Sequence, residues 1–360
     1  MARDCGYANC PGGRPPFTHT SHLRMKKSLR SLLVLALATT SFSAFAAEAK
    51  RVIVCTVTTG FRHSNSIPFA EKTIQRLGEE SKAYTVVDWA RQPEVKVPQK
   101  PNKPGDLKPD ADDKAKARHD EDMKKYEAEM AKWTPEMDQQ IKDAKATLDA
   151  GIKAALEKLS PANLTAKKID AVIFANTTGD LPLPDREGFI KWVEDGHAFC
   201  GMHSAGDTFH GFPGYLGMVQ AEFKTHGKQV PADLVAGDKT HPANAGIGES
   251  WNIELEEMYE FKDGSHDRSK LHAIWFLRHP PQDANTAAYA PVSWCRMAGK
   301  GRVFYTSLGH REDLWDDTDA VKDRKNSPEI SKQYQAHILG GIKWALGLAP
   351  GSAEPNPETK

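Results

Sequence analysis

In the stretch FCGMHSAGDTF, residues 199–209, an apolar run passes into a tight, glycine-rich turn. This pattern is typical of a strand that leads into a helix at the end of a sheet, with one side chain raised on the turn. In hydrolases built this way the raised residue is a Ser or Cys nucleophile, but here it is His203. Because histidine is a poor nucleophile for stable acyl transfer, the turn predicts an α/β scaffold with a different chemistry.

Apolar runs on both sides of this turn alternate with amphipathic segments. Near-continuous runs rich in β-branched residues predict strands buried on both faces, at 51–57, 84–87, 171–175 and 197–202. Helical spacing predicts a helix over 66–81, and another is expected from an N-cap at Asp185 to Gly196. Strands that alternate with helices form βαβ units around a parallel sheet.

Ligands of such sheets bind at the carboxyl ends of the strands. The loops after the first, third and fourth strands are therefore expected to converge, at 58–63, 176–180 and 203–210. The second half of the chain has more strand than helix, with candidate strands at 252–255, 272–277, 291–296 and 303–307, then a helix at 331–346. Residues 351–360 are expected to form a loose tail.

The segment 91–165 interrupts this alternation between the second and third strands. Residues 91–110 are rich in Pro and Lys, as in an extended linker. Residues 111–158 are highly charged but carry an apolar stripe with helical spacing, and Thr134-Pro135 supplies an N-cap and a first-turn proline. Two helices split near residue 134 are therefore predicted. They could form a solvated hairpin on their own domain, a dimerisation arm or a lid over the site.

The N-terminal region predicts export. A basic start at 25–30, a short apolar core at 32–38 and the small-x-small pattern at 44–46 are typical of a secretory signal peptide over 25–46. The mature chain would begin near Ala47, in the periplasm or outside the cell. Residues 1–24 precede this signal and are interpreted as the result of a start codon placed too early.

Composition argues against several classes of function. Basic and acidic residues balance, 48 against 48, so no surplus of positive charge points to nucleic acid. Beyond the signal, no apolar run is long enough to span a membrane. No strand-linked G-x-G-x-x-G motif indicates a redox dinucleotide. Three cysteines remain after processing, and they are interpreted as small buried apolar residues: Cys55, Cys200 and Cys295.

Seven segments, one of them within the turn quoted above, follow one another along the chain: TTGFRHSNSI (58–67), NTTGD (176–180), GMHSAGDTF (201–209), AEFKTHG (221–227), EEMYEF (256–261), GRVFYTSLGHRED (301–313) and HILGGIKWALG (337–347). Together they resemble the ThuA-like family, which is named for trehalose utilisation. The resemblance implies a class I glutamine amidotransferase-like fold, which is a flavodoxin-like, doubly wound, mainly parallel sheet. Here it would cover 47–350, with 91–165 as a linker and inserted helical hairpin that is longer than the connection the family needs.

The resemblance also identifies what the turn lacks. In class I amidotransferases the raised residue is Cys, and a His followed two residues later by Glu comes after a late strand. Here His203 stands on the turn, and His310-Arg311-Glu312 keeps the second spacing. Cys200 lies inside the strand, where its thiol should be inert. The chain is therefore not expected to be a glutamine amidotransferase.

Two active roles and one passive role are open for His203. It could ligate a divalent ion such as zinc, which accepts nitrogen and oxygen donors. The other donors would then be His310, Glu257 and either His63 or Asp207. It could instead be a general acid or base near neutral pH, oriented by Glu257 or Glu312. In the passive role, it only hydrogen-bonds the backbone of the turn.

The candidates for substrate binding are polar or aromatic residues expected near the same strand ends: His63, Asn176, Thr177, Asp207 and Tyr259. The histidine ends the first βα loop, where it could bind a ligand or cap a helix. Amide and hydroxyl groups after the third strand suit a polyol or an oxyanion. The aromatic residues Tyr259, Trp251 and Trp315 could stack on a sugar or belong to the core.

These features give two hypotheses for function. In the first, the chain is an exported enzyme of carbohydrate metabolism that acts on a sugar or keto-sugar. The chemistry would be His- or metal-assisted hydrolysis, isomerisation or lyase chemistry, and the carbohydrate is implied by the resemblance alone. In the second, it is a non-catalytic sugar-binding or protein-interaction module. The helices within 111–158 could also join copies of the chain into a homo-oligomer.

The signal peptide leads to a direct prediction. Exported protein should begin at or near Ala47, because signal peptidase cleaves after the small-x-small pattern. N-terminal sequencing of the protein from the periplasm or the medium measures this. Exported protein that still carries residues 1–24 would contradict both the signal and a start at Met25.

Overall fold

The computed structural model describes residues 48–279 and 289–357, and the structural statements below refer to these residues. The predicted signal peptide and the extension before it lie outside the described residues. None of the described helices is both long and apolar enough to cross a membrane.

Strands and helices alternate in the first half, and strands dominate the second. The strands are β1 (Lys50–Cys55), β2 (Tyr84–Ala90), β3 (Ala171–Ala175), β4 (Ala198–Met202), β5 (Phe223–His226), β6 (Val230–Ala236), β7 (Ser250–Glu256), β8 (Tyr259–Phe261), β9 (His272–Leu277), β10 (Ala290–Ala298) and β11 (Gly301–Thr306). The helices are α1 (Ile67–Ser81), α2 (Asp113–Met130), α3 (Pro135–Glu157), α4 (Pro161–Ala166), α5 (Arg186–Glu194), α6 (Pro213–Val219), α7 (Glu312–Trp315) and α8 (Pro328–Ala345).

Within the described ranges, nine strands form one mixed sheet in the order β2-β1-β3-β4-β11-β10-β9-β6-β7. The first five are parallel to one another, and the remaining pairings are antiparallel. A separate antiparallel pair joins β5 to β8. The expectation of a mainly parallel sheet therefore describes the first half of the chain better than the second.

Helices cover both faces of the inner parallel strands, which is why β3 and β4 have no polar face. Successive residues of a strand point to opposite faces. Accordingly, Val54 packs in the same apolar cluster as Ile74 of α1 and Ile338 of α8. Its neighbour Ile53 belongs to a second cluster on the other face, with residues of α3, α5 and α6. Every residue of β3 and β4 is buried.

Three features of the second half were not predicted. Strands β5 and β8 are short, and most residues of β5 are exposed, so they carry little apolar pattern. Strand β6 contains Pro231, which weakens a strand prediction. After β4 the chain forms a short 3-10 turn, His203–Asp207, before the separate helix α6. The turn is therefore not the first turn of a long helix.

The inserted segment is partly solvated and partly core. The break between its helices lies at Thr134, with Pro135 at the start of α3. Among the described residues, α2 contributes none that is buried. The last two turns of α3 differ, because Ile152 and Leu156 are buried against the sheet. The chain therefore enters the core before the insertion ends.

Contacts with β2 fix the end of this insertion. Just after α3, Lys158 Nζ donates to Asp88 Oδ1 at 2.8 Å and to the Trp89 carbonyl at 2.7 Å. A β-carbon added at Gly151 would lie 2.5 Å from Pro93 Cγ. The segment that leaves β2 and the helix that returns to the sheet thus lie side by side.

This arrangement predicts which part of the insertion is dispensable. Replacing residues 97–147 with a short Gly-Ser bridge should leave the core folded, because Pro93 and Gly151 are already in contact. A deletion extended to residue 157 removes Ile152 and Leu156, and each lost large side chain costs about 2–5 kcal/mol. Urea unfolding followed by circular dichroism compares the two variants. Loss of a cooperative transition in the shorter deletion would make the whole hairpin part of the core.

Candidate metal centre

The three loops expected to converge do so at the carboxyl ends of β1, β3 and β4. Thr58 pairs with Thr178, and Gly179 pairs with Thr208. The Thr59 N–H donates to the Thr178 carbonyl at 2.9 Å, which ties the first loop to the second. This edge of the sheet is therefore a connected platform of loops.

Four side chains from distant parts of the sequence meet on this platform: His63, His203, Glu257 and His310. One potential ligand atom from each lies within 4.8 Å of the others. They come from the loop after β1, the turn after β4, the link between β7 and β8, and the loop after β11. The predicted trio of His203, Glu257 and His310 thus shares one site, and His63 joins it.

The ring of His203 is fixed by its backbone and by one hydrogen bond. Its φ of 49° lies in the left-handed region, and the residue is completely buried. Its Nδ1 lies 2.9 Å from the Ser307 carbonyl oxygen. Because a carbonyl can only accept, Nδ1 carries the hydrogen and the lone pair is on Nε2. That lone pair faces His63 Nε2 and the Tyr259 hydroxyl, each at 3.1 Å.

His63 and His203 are both held as neutral imidazoles. Burial, followed by the charge of His310, lowers the pKa of His63 to about 4. Burial, followed by the charges of His63 and His310, also places the pKa of His203 well below its ordinary value. Neutral imidazole is the form that coordinates a metal. At neutral pH, both rings therefore have lone pairs for coordination.

Glu257 supplies the carboxylate of the centre. Its Oε2 lies 3.3 Å from His310 Nδ1 and 3.6 Å from His203 Nε2. The side chain is only 6% exposed, so its charge needs nearby compensation. Its second oxygen, Oε1, lies 3.0 Å from Nδ1 of His226, a residue that the sequence interpretation did not select.

His310 is the more exposed ligand candidate. Burial alone would lower its pKa, but the nearby carboxylates of Glu257 and Glu256 raise it overall. The 3.3 Å approach to Glu257 is not aligned as a hydrogen bond, and Nδ1 is buried without another partner in the described chain. An unpaired buried nitrogen that faces a carboxylate and two imidazoles is what a metal ligand presents.

The distances fit a small divalent ion. Ligands at about 2.0–2.1 Å from a tetrahedral zinc are about 3.3 Å from one another. The donor atoms joined by measured contacts are separated by 3.1, 3.3 and 3.6 Å. Three imidazoles and one carboxylate are also a donor set that zinc accepts. These three pairs are close to that spacing, and all four donor atoms lie within 4.8 Å of one another.

Glu256 positions the loop that carries His310. It is completely buried, and its Oε1 accepts the N–H groups of Gly309 and His310, each at 2.8 Å. Burial raises its pKa to about 7 against the lowering effect of His310 and these N–H groups. Adjacent residues of a strand point to opposite sides, but sequence alone does not show which of Glu256 and Glu257 reaches the histidines.

Asn176 and Thr177 lie beneath the site and join its loops. Both are completely buried. Asn176 donates to Ser66 Oγ at 2.8 Å and to the Gly309 carbonyl at 3.1 Å. The Thr177 hydroxyl lies 2.8 Å from that of Thr208. Their known partners are protein groups, so the structure gives them a bracing position in the platform.

Asp207 and Tyr259 lie near the centre in different ways. Asp207 Oδ1 is 2.6 Å from His210 Nε2 and is not one of the four grouped donors. Tyr259 is only 6% exposed, so its ring does not offer the open face expected for stacking on a sugar. Its hydroxyl contacts His203 instead. Trp251 and Trp315 are buried in the core.

A cleft of about 410 Å³ borders two of the four donor residues. His63 and His310 line it together with residues of the first βα loop, of the link between β5 and β6, and of the segment around α7. These additional lining residues are Phe61, Arg62, Ser64, Asn65, Ser66, Gln229, Arg311, Glu312 and Asp323. The cleft falls within the size range of small-molecule sites.

Comparison with known proteins identifies the family. The family profile ThuA, described as "Trehalose utilisation", matches residues 51–345. The chain belongs to the ThuA family. All four donor residues of the centre lie inside the matched range. None of the curated proteins matches the chain.

Two solved structures are similar to this ThuA family member. A ThuA-like protein from Parabacteroides merdae has 15% sequence identity, with a TM-score of 0.53 over 86% of this chain and 96% of its own. A ThuA-like protein from Bacteroides uniformis has 13% identity, with a TM-score of 0.50 over 84% of this chain and 95% of its own. At these identities, the likeness establishes a shared α/β fold.

The contacts of Glu256 predict a role in positioning His310. In Glu256→Gln, an NH₂ group replaces one of the two oxygens and the negative charge is lost, so either the N–H groups of Gly309 and His310 or the N–H group of Arg311 lose their acceptor. Groups that orient metal ligands typically contribute about 10–100-fold to metal affinity. Zinc affinity, measured by competition with a chromophoric chelator, should therefore fall by about that factor.

The matched control is Glu121→Gln on the exposed helix α2. It makes the same chemical change far from the loop in sequence and should leave zinc affinity unchanged. Equal affinities for Glu256→Gln and the wild type would show that this carboxylate does not position His310.

Proposed function

We propose that this ThuA family protein is an exported enzyme of carbohydrate metabolism with a mononuclear divalent metal centre. The ligands would be His63, His203, Glu257 and His310. The observation that carries the proposal is the convergence of their donor atoms within 4.8 Å of one another. The substrate would be a sugar or keto-sugar, which the description of the family supports.

The donor set favours zinc or a similar first-row ion over magnesium or calcium, which prefer oxygen ligands. A bound ion would polarise a carbonyl or hydroxyl oxygen of the substrate, or lower the pKa of a coordinated water. Hydrolysis, isomerisation and lyase chemistry all use one of these effects. Because His310 and His63 border the cleft, a substrate there would approach the centre from their side.

Two residues around the centre are suited to move or orient protons. The Tyr259 hydroxyl lies 3.1 Å from His203 Nε2. If an ion occupied the lone pair of that nitrogen, the hydroxyl could instead donate a hydrogen bond to an oxygen of the substrate or of a water at the centre. His226 contacts Glu257 Oε1 at 3.0 Å and is 43% exposed. It could therefore exchange protons between this carboxylate and solvent.

Glutaminase activity is not part of this proposal. His203 occupies the position of the expected nucleophile. Cys200 is buried within β4, and burial raises the pKa of its thiol. A thiol that stays protonated in an apolar strand is a poor nucleophile. The order of the five parallel strands supports a flavodoxin-like, doubly wound interpretation of this half of the sheet.

An alternative is a non-catalytic module that binds sugar or joins copies of the chain. The exposure of α2 favours it, because the helix has no buried residue in the described structure. Its half-buried residues recur at helical spacing: Ala115, His119, Met123, Tyr126 and Met130. A second copy could cover this stripe. This alternative does not require the four donor residues to hold a metal.

Metal analysis separates these functions. Protein purified without chelators and then dialysed against zinc should retain about one equivalent, because the four donors describe one site. Elemental analysis by mass spectrometry measures the stoichiometry. His203→Ala should lose the metal, since it removes a central ligand. His119→Ala on α2 is the control for the loss of a histidine elsewhere. A wild-type protein that retains no divalent metal would contradict the enzyme proposal.

A further inference from the structure

Phe61 stands out beside the candidate centre because it is 69% exposed. It is the most exposed large apolar residue of the described chain. Its ring meets the ring of His63 edge-on, with centroids 5.0 Å apart, and it lines the 410 Å³ cleft. An aromatic ring that is exposed to water beside a polar cleft does not contribute the free energy of folding that its burial would give, so its exposure suggests a binding role.

The backbone around Phe61 holds the ring in this place. The Thr178 hydroxyl donates to the Phe61 carbonyl at 2.7 Å. The preceding loop is tied to the same segment through Thr59 and Thr178. A β-carbon added at Gly60 would lie 3.2 Å from Thr178 Oγ1, so the loop packs closely there. The exposed ring is thus carried by an anchored loop.

The two arginines of the cleft lining are already hydrogen-bonded within the protein. The Arg311 guanidinium is engaged by the Asp313 carboxylate, Gln229 Oε1 and the Asp323 carbonyl. Arg62 Nη1 donates to the Thr56 carbonyl and to Gln92 Oε1, each at 3.1 Å. Both arginines of the lining therefore already serve internal acceptors.

Apart from these arginines and the two histidines, the side chains of the lining are neutral or acidic. Ser64 and Asn65 are exposed and offer a hydroxyl and an amide. Glu312 and Asp323 add carboxylates, which would repel a phosphate. A cleft with one aromatic face, neutral hydrogen-bonding groups and acidic residues suits an uncharged polyol.

We propose that Phe61 is the platform of a subsite for a neutral, unphosphorylated sugar ring. The apolar C–H face of a pyranose would lie on the phenyl ring, and its hydroxyls would bond to Ser64 and Asn65. The ring would lie next to His63, so one of its oxygens could reach the centre. This inference deepens the proposed function and rests on it for the role of the centre.

The experiment uses full-length mature protein whose zinc content has been measured beforehand. Trehalose and methyl α-glucoside are titrated by isothermal calorimetry, with glucose 6-phosphate as the anionic probe. Both neutral sugars should bind, and the phosphorylated sugar should bind more weakly. Phe61→Ala should weaken neutral sugar binding by about tenfold or more through loss of the stacking surface. Phe61→Trp should retain binding.

The controls separate this subsite from the metal centre. Zinc stoichiometry should be unchanged in both Phe61 variants, because the residue has no ligand atom. Met297→Ala removes another exposed apolar side chain, on β10, and should not alter sugar binding. Loss of zinc in the wild type with Phe61-dependent sugar binding intact would reject the metal proposal alone.

Three results would overturn the subsite. One is unchanged sugar affinity in Phe61→Ala. Another is tighter binding of glucose 6-phosphate than of methyl α-glucoside to protein freed of zinc, in which no ion can hold the phosphate. The third is no binding of either neutral sugar at millimolar concentration to protein that carries zinc.

Discussion

The hydrogen bond from His203 Nδ1 to the Ser307 carbonyl is the contact on which the centre depends. It joins the turn after β4 to the segment after β11, two strands that are paired in parallel through Met202 and Thr306. The left-handed backbone at His203 brings the side chain to the edge of the sheet, and this bond then sets the direction of Nε2. Without it, the ring could rotate, and His63 and Glu257 would lose the fixed position of His203 Nε2.

The site also shows how buried charge is tolerated at the edge of an apolar sheet. Glu256 and Glu257 are neighbours in sequence and both are buried. One is stabilised by backbone N–H groups, and the other lies among three imidazoles. Removing a charge from water is costly unless polar partners replace the water. The two carboxylates therefore have different partners. Those of Glu256 join the end of β7, in the antiparallel half of the sheet, to the loop that carries His310.

The first half of the fold could be predicted because its strands and helices are determined by patterns of neighbouring residues. Runs such as 171–175 are apolar throughout, and Asp185 caps its helix at Gly188 as its position indicates. Convergence of His203 and His310 followed from parallel topology. By contrast, β5 and β8 are defined by pairing with each other, which no local pattern reveals. His226 lies on β5, so its contact with Glu257 could not be predicted either. The exposure of Phe61 depends on how a loop is anchored, which sequence also does not show.

The contact between Pro93 and Gly151 has a consequence for the topology of the chain. The polypeptide leaves the sheet and returns to it at neighbouring points. The length of the outer part of the hairpin therefore has little effect on the packing of the sheet. Loop-closure entropy grows slowly, by about 0.6 kcal/mol for each doubling of length. A reporter domain spliced in near Ala131, in the turn between α2 and α3, would thus hang outside the scaffold. The same geometry offers a point for attaching the protein to a surface through the outer turn of the hairpin.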